Sequence, residues 1–394
     1  MPRTVLHFIY SLRTGGAERS CVEICTNLPA EYTPVVCATR GGPYEAELRG
    51  AGIEVITFAP PDEHPRWPLV AARIVRVLRQ VKPDLVHTHL YHSNVLALTA
   101  ASLLGVPGVG HLRGRSSCGL SRAEQRVCGL VYRWLVRRGH RFIACSQDMA
   151  ALFREVTGHE ATVIHNAIDT RPFLTAHPGG VDLRAELGVP PDAPLVGFVG
   201  RLVYQKNPQC FVRAAARLGA GHPQAHFVMV GGGELRGEIE ALGRELGLGE
   251  RLHLLGECHD VPTLLPQFDV FALPSRWEGF SRAILEAMVC GLAVVTTDVL
   301  GARESVVDGE SGLLVPDDDD AALAGRIGEL LADEGLRRAL GRAARERVMR
   351  DFTLEALIGR VVEQYEAVLE EQIAAARPAG MARCTTTSRA GTPR

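Results

Sequence analysis

Short apolar runs alternate with longer amphipathic stretches along most of the chain. The run "TVLHFIYSL" near the start reads as a strand, and "GAERSCVEICTNL" after it as a helix. Further strands are expected in "YTPVVCATR", "GIEVITFAP", "DLVHTHL", "GVPGVGHLR", "RFIACS" and "TVIHNAID". Helical segments such as Trp67–Gln80 and Ser93–Leu104 separate several of them. The strand runs show little alternation of apolar and polar positions. Strands buried on both faces have that pattern, and they build parallel sheets with crossover helices. The pattern stops around Arg171–Pro194, where "AHPGG" and "VPPDAP" enclose one short helix. It restarts at Leu195 with "LVGFVG", "HFVMVGGG", "RLHLLG", "FDVFALPS", "LAVVTT" and "SGLLVP".

The fold class predicted is α/β, with two doubly wound Rossmann-like domains facing a central cleft. Residues 1–175 make the first domain, 176–194 the linker and 195–352 the second domain. The stretch from Ala321 to Ala376 reads as helical and amphipathic, and 353–376 is a C-terminal helix that can pack back on the first domain. Residues 377–394 form a polar tail expected to be disordered.

Bulk properties narrow the class. A chain of 394 residues is long enough for two domains with real cores, and 46% hydrophobic with 22% charged residues suits a soluble protein. The first 180 residues carry 20 basic and 14 acidic side chains; the rest carry 23 and 31. Such asymmetry fits two domains with different surface partners. The ten cysteines show no CxxC and no regular spacing, so free thiols in a cytoplasmic setting are expected. No leader peptide is expected in "MPRTVLHFIYSL", and the apolar stretch Val95–Gly110 is too short and too broken by Gly and Pro to span a bilayer.

The densest chemistry lies in "RWEGFSRAILEAMVCG", residues 276–291. Glu278 and Glu286 are eight positions apart, and "SRAILEAMVC" has helical spacing. In an unbroken helix that interval spans about 12 Å. Paired glycosidase carboxylates stand about 5–9.5 Å apart. The spacing therefore suits two contacts at opposite ends of one ligand better than a joint acid–base pair. Gly279 lies near the strand-to-helix junction, so backbone N–H groups at the helix start are free to bind anions or hydroxyls. In "FVGRLVYQKNP", Arg201 and Lys206 sit in a strand-to-helix loop before Pro208. Two cations beside a helix start make a diphosphate site. Gly15 and Gly16 in "SLRTGGAERS", and Gly231 and Gly232 in "VGGGELR", are strand-end turns that admit close backbone approach. The first matches neither a dinucleotide fingerprint nor a P-loop.

Together these stretches resemble the family 4, group 1 glycosyltransferases of the GT-B fold. The resemblance rests on "GGAER" at 15–19, "GRLVYQKN" at 200–207, "VGGGELR" at 230–236, "PSRWEGFSRAILEAMVCGLAVV" at 274–295 and "ESVVDGESGLLVPDDD" at 304–319. It covers roughly residues 4 to 370. It implies a retaining transferase that moves a sugar from a nucleotide-diphosphate sugar, a UDP-sugar first, to a glycan or lipid-linked acceptor in surface polysaccharide, lipopolysaccharide or glycolipid assembly. The first domain would then face the acceptor and the second the nucleotide sugar. Arg201 and Lys206 would neutralise the diphosphate, Glu286 would hold the ribose, and Glu278 would touch the transferred sugar with the N–H groups of Gly279, Phe280 and Ser281. Gly15, Gly16, Gly231 and Gly232 would border the donor. No metal and no cofactor besides the donor substrate are implied. A sugar-nucleotide epimerase and a non-catalytic nucleotide-sugar-binding subunit are the alternatives. Many relatives carry a histidine after the "GVP" strand; by offset from Pro107, Arg113 takes that place here. Arg113 and His111 share a strand face, so both are catalytic candidates with Glu278.

Other clusters carry less. "VHTHLYHSN" supplies His87, His89 and His92, but no nearby Cys or carboxylate has zinc-ligand spacing, and Asn94 is a candidate for the acceptor cleft. The segment 121–142 mixes apolar positions with arginines and could meet an anionic membrane, which would place the protein at the cytoplasmic face. The aspartates at 317–320 read as a solvated turn and helix start rather than a metal site, and nothing suggests nucleic acid.

Overall fold

The computed structural model describes residues 2–63, 66–118, 121–175, 182–219, 221–258 and 260–376. The expected disordered tail at 377–394, and 176–181 of the expected linker, lie outside the described residues.

The first sheet contains β1 (Arg3–Ser11), β2 (Tyr32–Arg40), β3 (Glu54–Thr57), β4 (Leu85–His89), β5 (Gly108–Leu112), β6 (Arg141–Ala144) and β7 (Thr162–Val163), in the order 3-2-1-4-5-6-7. The second contains β8 (Leu195–Val199), β9 (His226–Val230), β10 (Leu252–Gly256), β11 (Val270–Leu273), β12 (Ala293–Thr297) and β13 (Leu313–Val315), in the order 10-9-8-11-12-13. Every pairing is parallel. The strand order reverses at β1/β4 and at β8/β11. Crevices open at the C-terminal ends of the strands at such switch points. In the second domain those ends lead into the Arg201–Lys206 loop and the Glu278 loop, so topology alone brings the two loops together.

The central strands are buried on both faces, as their continuous apolar runs require: all five residues of β4, β5, β8 and β12 are buried. β7 is shorter than its sequence run because the chain leaves the sheet after Ile164, and Ile168 bridges to Thr353. The helical stretch after Ala321 is divided into three helices, Asp320–Ala332, Glu334–Asp351 and Leu354–Ala376. Asp333 caps the second by accepting from Leu336 N. The last helix starts in the second domain but buries Leu357, Val361, Tyr365 and Val368 against Val5, Leu85, Val109 and Ile143 of the first sheet.

His140, at the turn before β6, is buried beside Gly108, and burial with Arg138 nearby pushes its imidazole down to about 4. It therefore folds neutral, while the unfolded chain takes up a proton at that ring below about 6.5. Its contribution is whole above about 6.5 and is lost as pH falls towards 4, in total about 3 kcal/mol at roughly 1.4 kcal/mol per unit. Urea unfolding between pH 7 and 4.5 should show wild type losing stability faster than His140→Asn. Parallel profiles would mean that this ring does not titrate on unfolding.

Candidate functional site

The helix Arg282–Val289 begins directly under the cleft. Its N-cap Ser281 is extended (φ −78°, ψ 117°) and makes no side-chain cap. The Ser281 hydroxyl is buried and has no hydrogen-bond partner among the described residues. An uncapped helix start leaves backbone N–H groups and the positive end of the dipole for a ligand. Next to it, Glu278 is buried, and its Oε1 accepts from Lys206 Nζ at 2.6 Å and Ser275 Oγ at 2.6 Å. The sequence placed Lys206 and Glu278 in separate roles, on phosphate and on sugar; the fold joins them in one ion pair. Glu286, one helix turn inside, has its carboxyl pushed up by burial, with Arg282 pulling it back and Lys206 among the weaker cations that do so. Lys206 thus stands within electrostatic reach of both glutamates.

The residues just after Lys206 hold it in place. Asn207 takes a left-handed conformation (φ 49°) before Pro208 opens the helix Pro208–Leu218. Asn207 Nδ2 donates to Asp318, and Arg276 Nη2 donates to Asn207 Oδ1. Asp318 also pairs with Arg213 and Arg276, and Asp320 with Arg213 and Arg217. The aspartates expected to be a solvated turn therefore brace the cation loop, while Asp319 caps its own helix through Ala322 N. Gly231 has φ 136°, and a Cβ there would lie 2.1 Å from Gly200 O. This glycine lets the 230–233 turn pack directly on the backbone that carries Arg201.

The first domain closes on this site through backbone and side chain. A Cβ on Gly279 would lie 2.4 Å from Arg113 O, so the two domains meet there main chain to main chain. Asn166 Nδ2 donates to Phe280 O at 3.0 Å. Arg282 Nη1 donates to Glu23 Oε2 (2.7 Å) and Ala167 O (2.7 Å), and its Nη2 to Glu23 Oε1 (2.9 Å). Glu304 accepts from Gln147 N and Asp148 N at the start of the helix Gln147–Thr157, and meets His165 Nε2 at 2.9 Å. Gly15 precedes the helix Gly16–Asn27 in an extended conformation. Glu18, in that helix's first turn, is pushed up by burial while Arg201 of the facing domain acts against the shift.

Arg113 and His111 share one face of the sheet, but that face is covered. Arg113 is 7% exposed; its Nε donates to His89 Nδ1, its Nη1 to Ser20 Oγ and Asn166 Oδ1, and its Nη2 lies 3.2 Å from His111 Nδ1. Both side chains are turned to protein partners beneath the cleft floor rather than displayed in it. Asn94, a candidate for the acceptor cleft, is likewise fully buried between Thr88 and His111 O. His92 stacks on Trp67 and stands apart from that set.

Residues 182–347 match the family described as glycosyl transferases group 1, and residues 14–171 match Glycosyltransferase Family 4. The chain is 30% identical over 304 residues to the UDP-Gal:alpha-D-GlcNAc-diphosphoundecaprenol alpha-1,3-galactosyltransferase of Escherichia coli, covering 74% of this chain and 77% of that one. The chain belongs to this glycosyltransferase family. It is also 30% identical to the alpha-maltose-1-phosphate synthase of Mycolicibacterium smegmatis, over 72% of this chain and 79% of that protein. Its fold is similar to that of Anabaena Alr3699/HepE crystallised with UDP and glucose, at a TM-score of 0.82 and 25% identity, covering 93% of this chain and 100% of that one. The fold is thus GT-B, and the chain is a glycosyltransferase.

For this glycosyltransferase, sequence reasoning missed Glu18, Glu23, Asn166 and Arg282. Arg282 lies inside the quoted "GFSRAILEA", yet its partner Glu23 is 259 residues away. No local pattern marks such a pair. Glu18 is the exception, since it stands shortly after the Gly15-Gly16 turn at a helix start, where an acidic residue is a readable signal.

Proposed function

We propose that the enzyme transfers a hexosyl or N-acetylhexosaminyl group from a UDP-sugar, with retention, to a glycan or lipid-linked acceptor of surface-polymer or glycolipid assembly. The observation that carries this is the uncapped start of Arg282–Val289, with its unpartnered Ser281 hydroxyl, beside the Lys206–Glu278 pair. Arg201 and Lys206 take the diphosphate charge as it develops on the leaving group, in a site already organised for it. Glu286 holds the ribose. Glu278, with the N–H groups of Gly279, Phe280 and Ser281, orients the transferred sugar. The departing phosphate oxygen accepts the acceptor's proton on the face it leaves, and Arg201 and Lys206 take the place of a divalent cation on the diphosphate. Arg113 acts as a positioning residue, because it holds Asn166, which in turn holds Phe280 O. The UDP preference draws support from the UDP-glucose complex of HepE.

Calorimetry with UDP, GDP and their sugars, followed by acceptor trials and anomeric coupling constants of the product, tests this proposal. UDP-sugar binding with a product of unchanged anomeric configuration is expected. Inversion would refute the same-face step. Epimerised nucleotide sugar formed without acceptor would make the protein an epimerase instead.

The acceptor side includes a surface suited to lipid. The helix Arg122–Arg137 opens with a capping box at Ser121 and Glu124 and buries Cys128, Tyr132 and Leu135. Its outer face leaves Val127 (54%), Leu130 (64%) and Trp134 (36%) exposed, with Arg126 and Arg137 alongside. No helix among the described residues is long and apolar enough to cross a membrane. We propose that this face rests on anionic lipid while the acceptor is engaged, its aromatic and aliphatic groups at the headgroup boundary. Flotation with phosphatidylglycerol vesicles should capture the wild type and release Leu130→Asp/Arg137→Glu. Equal capture of both would refute this contact.

A further inference from the structure

One face of the first sheet carries an unusual row of polar residues. His7 on β1 pairs in register with His87 on β4, and His89 pairs with His111 on β5. Side chains two apart on a strand share a face, so His7, His87, His89 and His111 converge under the helices Gly16–Asn27 and Leu354–Ala376. All four are fully buried. Arg113 donates to His89 Nδ1, and His89 Nε2 lies 3.3 Å from His7 Nδ1. His87 Nδ1 meets the Tyr365 hydroxyl at 2.6 Å. The remaining ring nitrogens, His7 Nε2, His87 Nε2 and His111 Nε2, have no hydrogen-bond partner among the described residues. A buried unpaired ring nitrogen costs about 1–3 kcal/mol.

The helix Gly16–Asn27 supplies what these nitrogens lack. Cys21 and Cys25 are four apart, so both point from one helical face to the sheet, and both are buried. One ligand atom each of His7, Cys21 and Cys25 lies within 4.8 Å of the other two. Around a tetrahedral ion with ligands at about 2.0–2.3 Å, neighbouring ligand atoms stand about 3.3–3.8 Å apart, so the three groups must close in by at most about 1–1.5 Å. We propose that His7, Cys21 and Cys25 form a buried structural site for a thiolate-binding divalent metal, zinc first; His87, which stands close to His7 but outside the reach of the two thiols, would have to turn in to serve as a fourth donor. Two thiolates neutralise the ion's charge, which matters because the Arg113 guanidinium lies in the same cluster. The site is sealed, so the metal enters as the domain folds and adds its binding energy to folding. It lies between the sheet and the helix Gly16–Asn27, and it does not depend on the donor or acceptor assigned above.

The full chain, expressed in medium supplemented with zinc and in parallel with cobalt, tests this. Elemental analysis should find one metal ion per chain. The cobalt form should show a thiolate charge-transfer band in the near ultraviolet and intense tetrahedral bands in the red. Cys21→Ser/Cys25→Ser should lose both the ion and the bands. His7→Asn, which keeps the thiols, should hold the metal more weakly against a chelator. Metal-free wild type without cobalt bands would overturn the site, as would equal metal content in wild type and Cys21→Ser/Cys25→Ser. Should the double cysteine variant fail to fold, the His7→Asn comparison and the cobalt spectrum of wild type decide alone.

Discussion

Lys206→Ala should lower kcat/KM for the nucleotide sugar by about 10²–10³, the usual loss when one preorganised charge-stabilising group is removed. It should also destabilise the second domain, and this second effect comes from a different atom. Lys206 and Glu278 side chains are 14% and 5% exposed, and their contact is 2.6 Å. Removing the lysine leaves a carboxylate out of water with Ser275 as its remaining partner. Breaking a buried pair from one side costs about 3–5 kcal/mol. For a domain of this size that lowers Tm by about 2–4 °C per kcal/mol. The double variant Lys206→Ala/Glu278→Gln removes the stranded charge, so it should recover most of the stability and none of the activity. Steady-state kinetics and thermal unfolding of the three proteins check both halves. Unchanged donor kinetics in Lys206→Ala would refute the phosphate role. A double variant as unstable as the single one would refute the stranded-charge explanation.

Gly279→Ala should lower kcat by about 10²-fold, through geometry alone, because misplacing the reacting groups by about an ångström has that cost. The added methyl would sit 2.4 Å from Arg113 O and 3.1 Å from Arg113 C. Both are main-chain atoms at the end of a buried strand, and they cannot swing aside as the tip of a long side chain would. The loop carrying Glu278, Phe280 and Ser281 must therefore back away from the first domain. Circular dichroism should remain that of the wild type, and UDP affinity by calorimetry should fall less than kcat does, since Arg201 and Lys206 are carried by a different loop, after β8. Gly237→Ala is the matching control, because a Cβ there meets nothing within 4 Å. Wild-type turnover in Gly279→Ala would mean that contact between the domains at this point is not needed for the reaction.

Much of the architecture was legible along the chain because parallel strands buried on both faces write themselves as short unbroken apolar runs. The helix Pro208–Leu218 and the strands around it could be read in this way, and so could the loop positions of Arg201, Lys206 and Glu278. Strand-to-helix loops in a doubly wound sheet fall on one edge, so their polar residues are site candidates from their positions along the chain. Periodicity misled where a side chain's direction mattered. Arg113 and His111 were expected in the cleft, since strand spacing puts them on one face. Spacing does not say what covers that face, and at Arg113 the helix Gly16–Asn27 and Asn166 cover it, Ser20 Oγ and Asn166 Oδ1 both accepting from the guanidinium.

Local sequence was enough for the two-domain α/β organisation and the turns that end the strands. These depend on short-range periodicity and on chemistry that survives in isolation. The partners came from tertiary packing. Lys206 meets Glu278 across 72 residues because β8 and β11 are neighbours in the sheet. Arg282 meets Glu23 because the two domains close on each other. His7, His87, His89 and His111 look unrelated along the chain, and they form one row because the sheet order places β4 between β1 and β5. Strand order and domain closure are set by the packing of the whole chain, and no short stretch of sequence contains them.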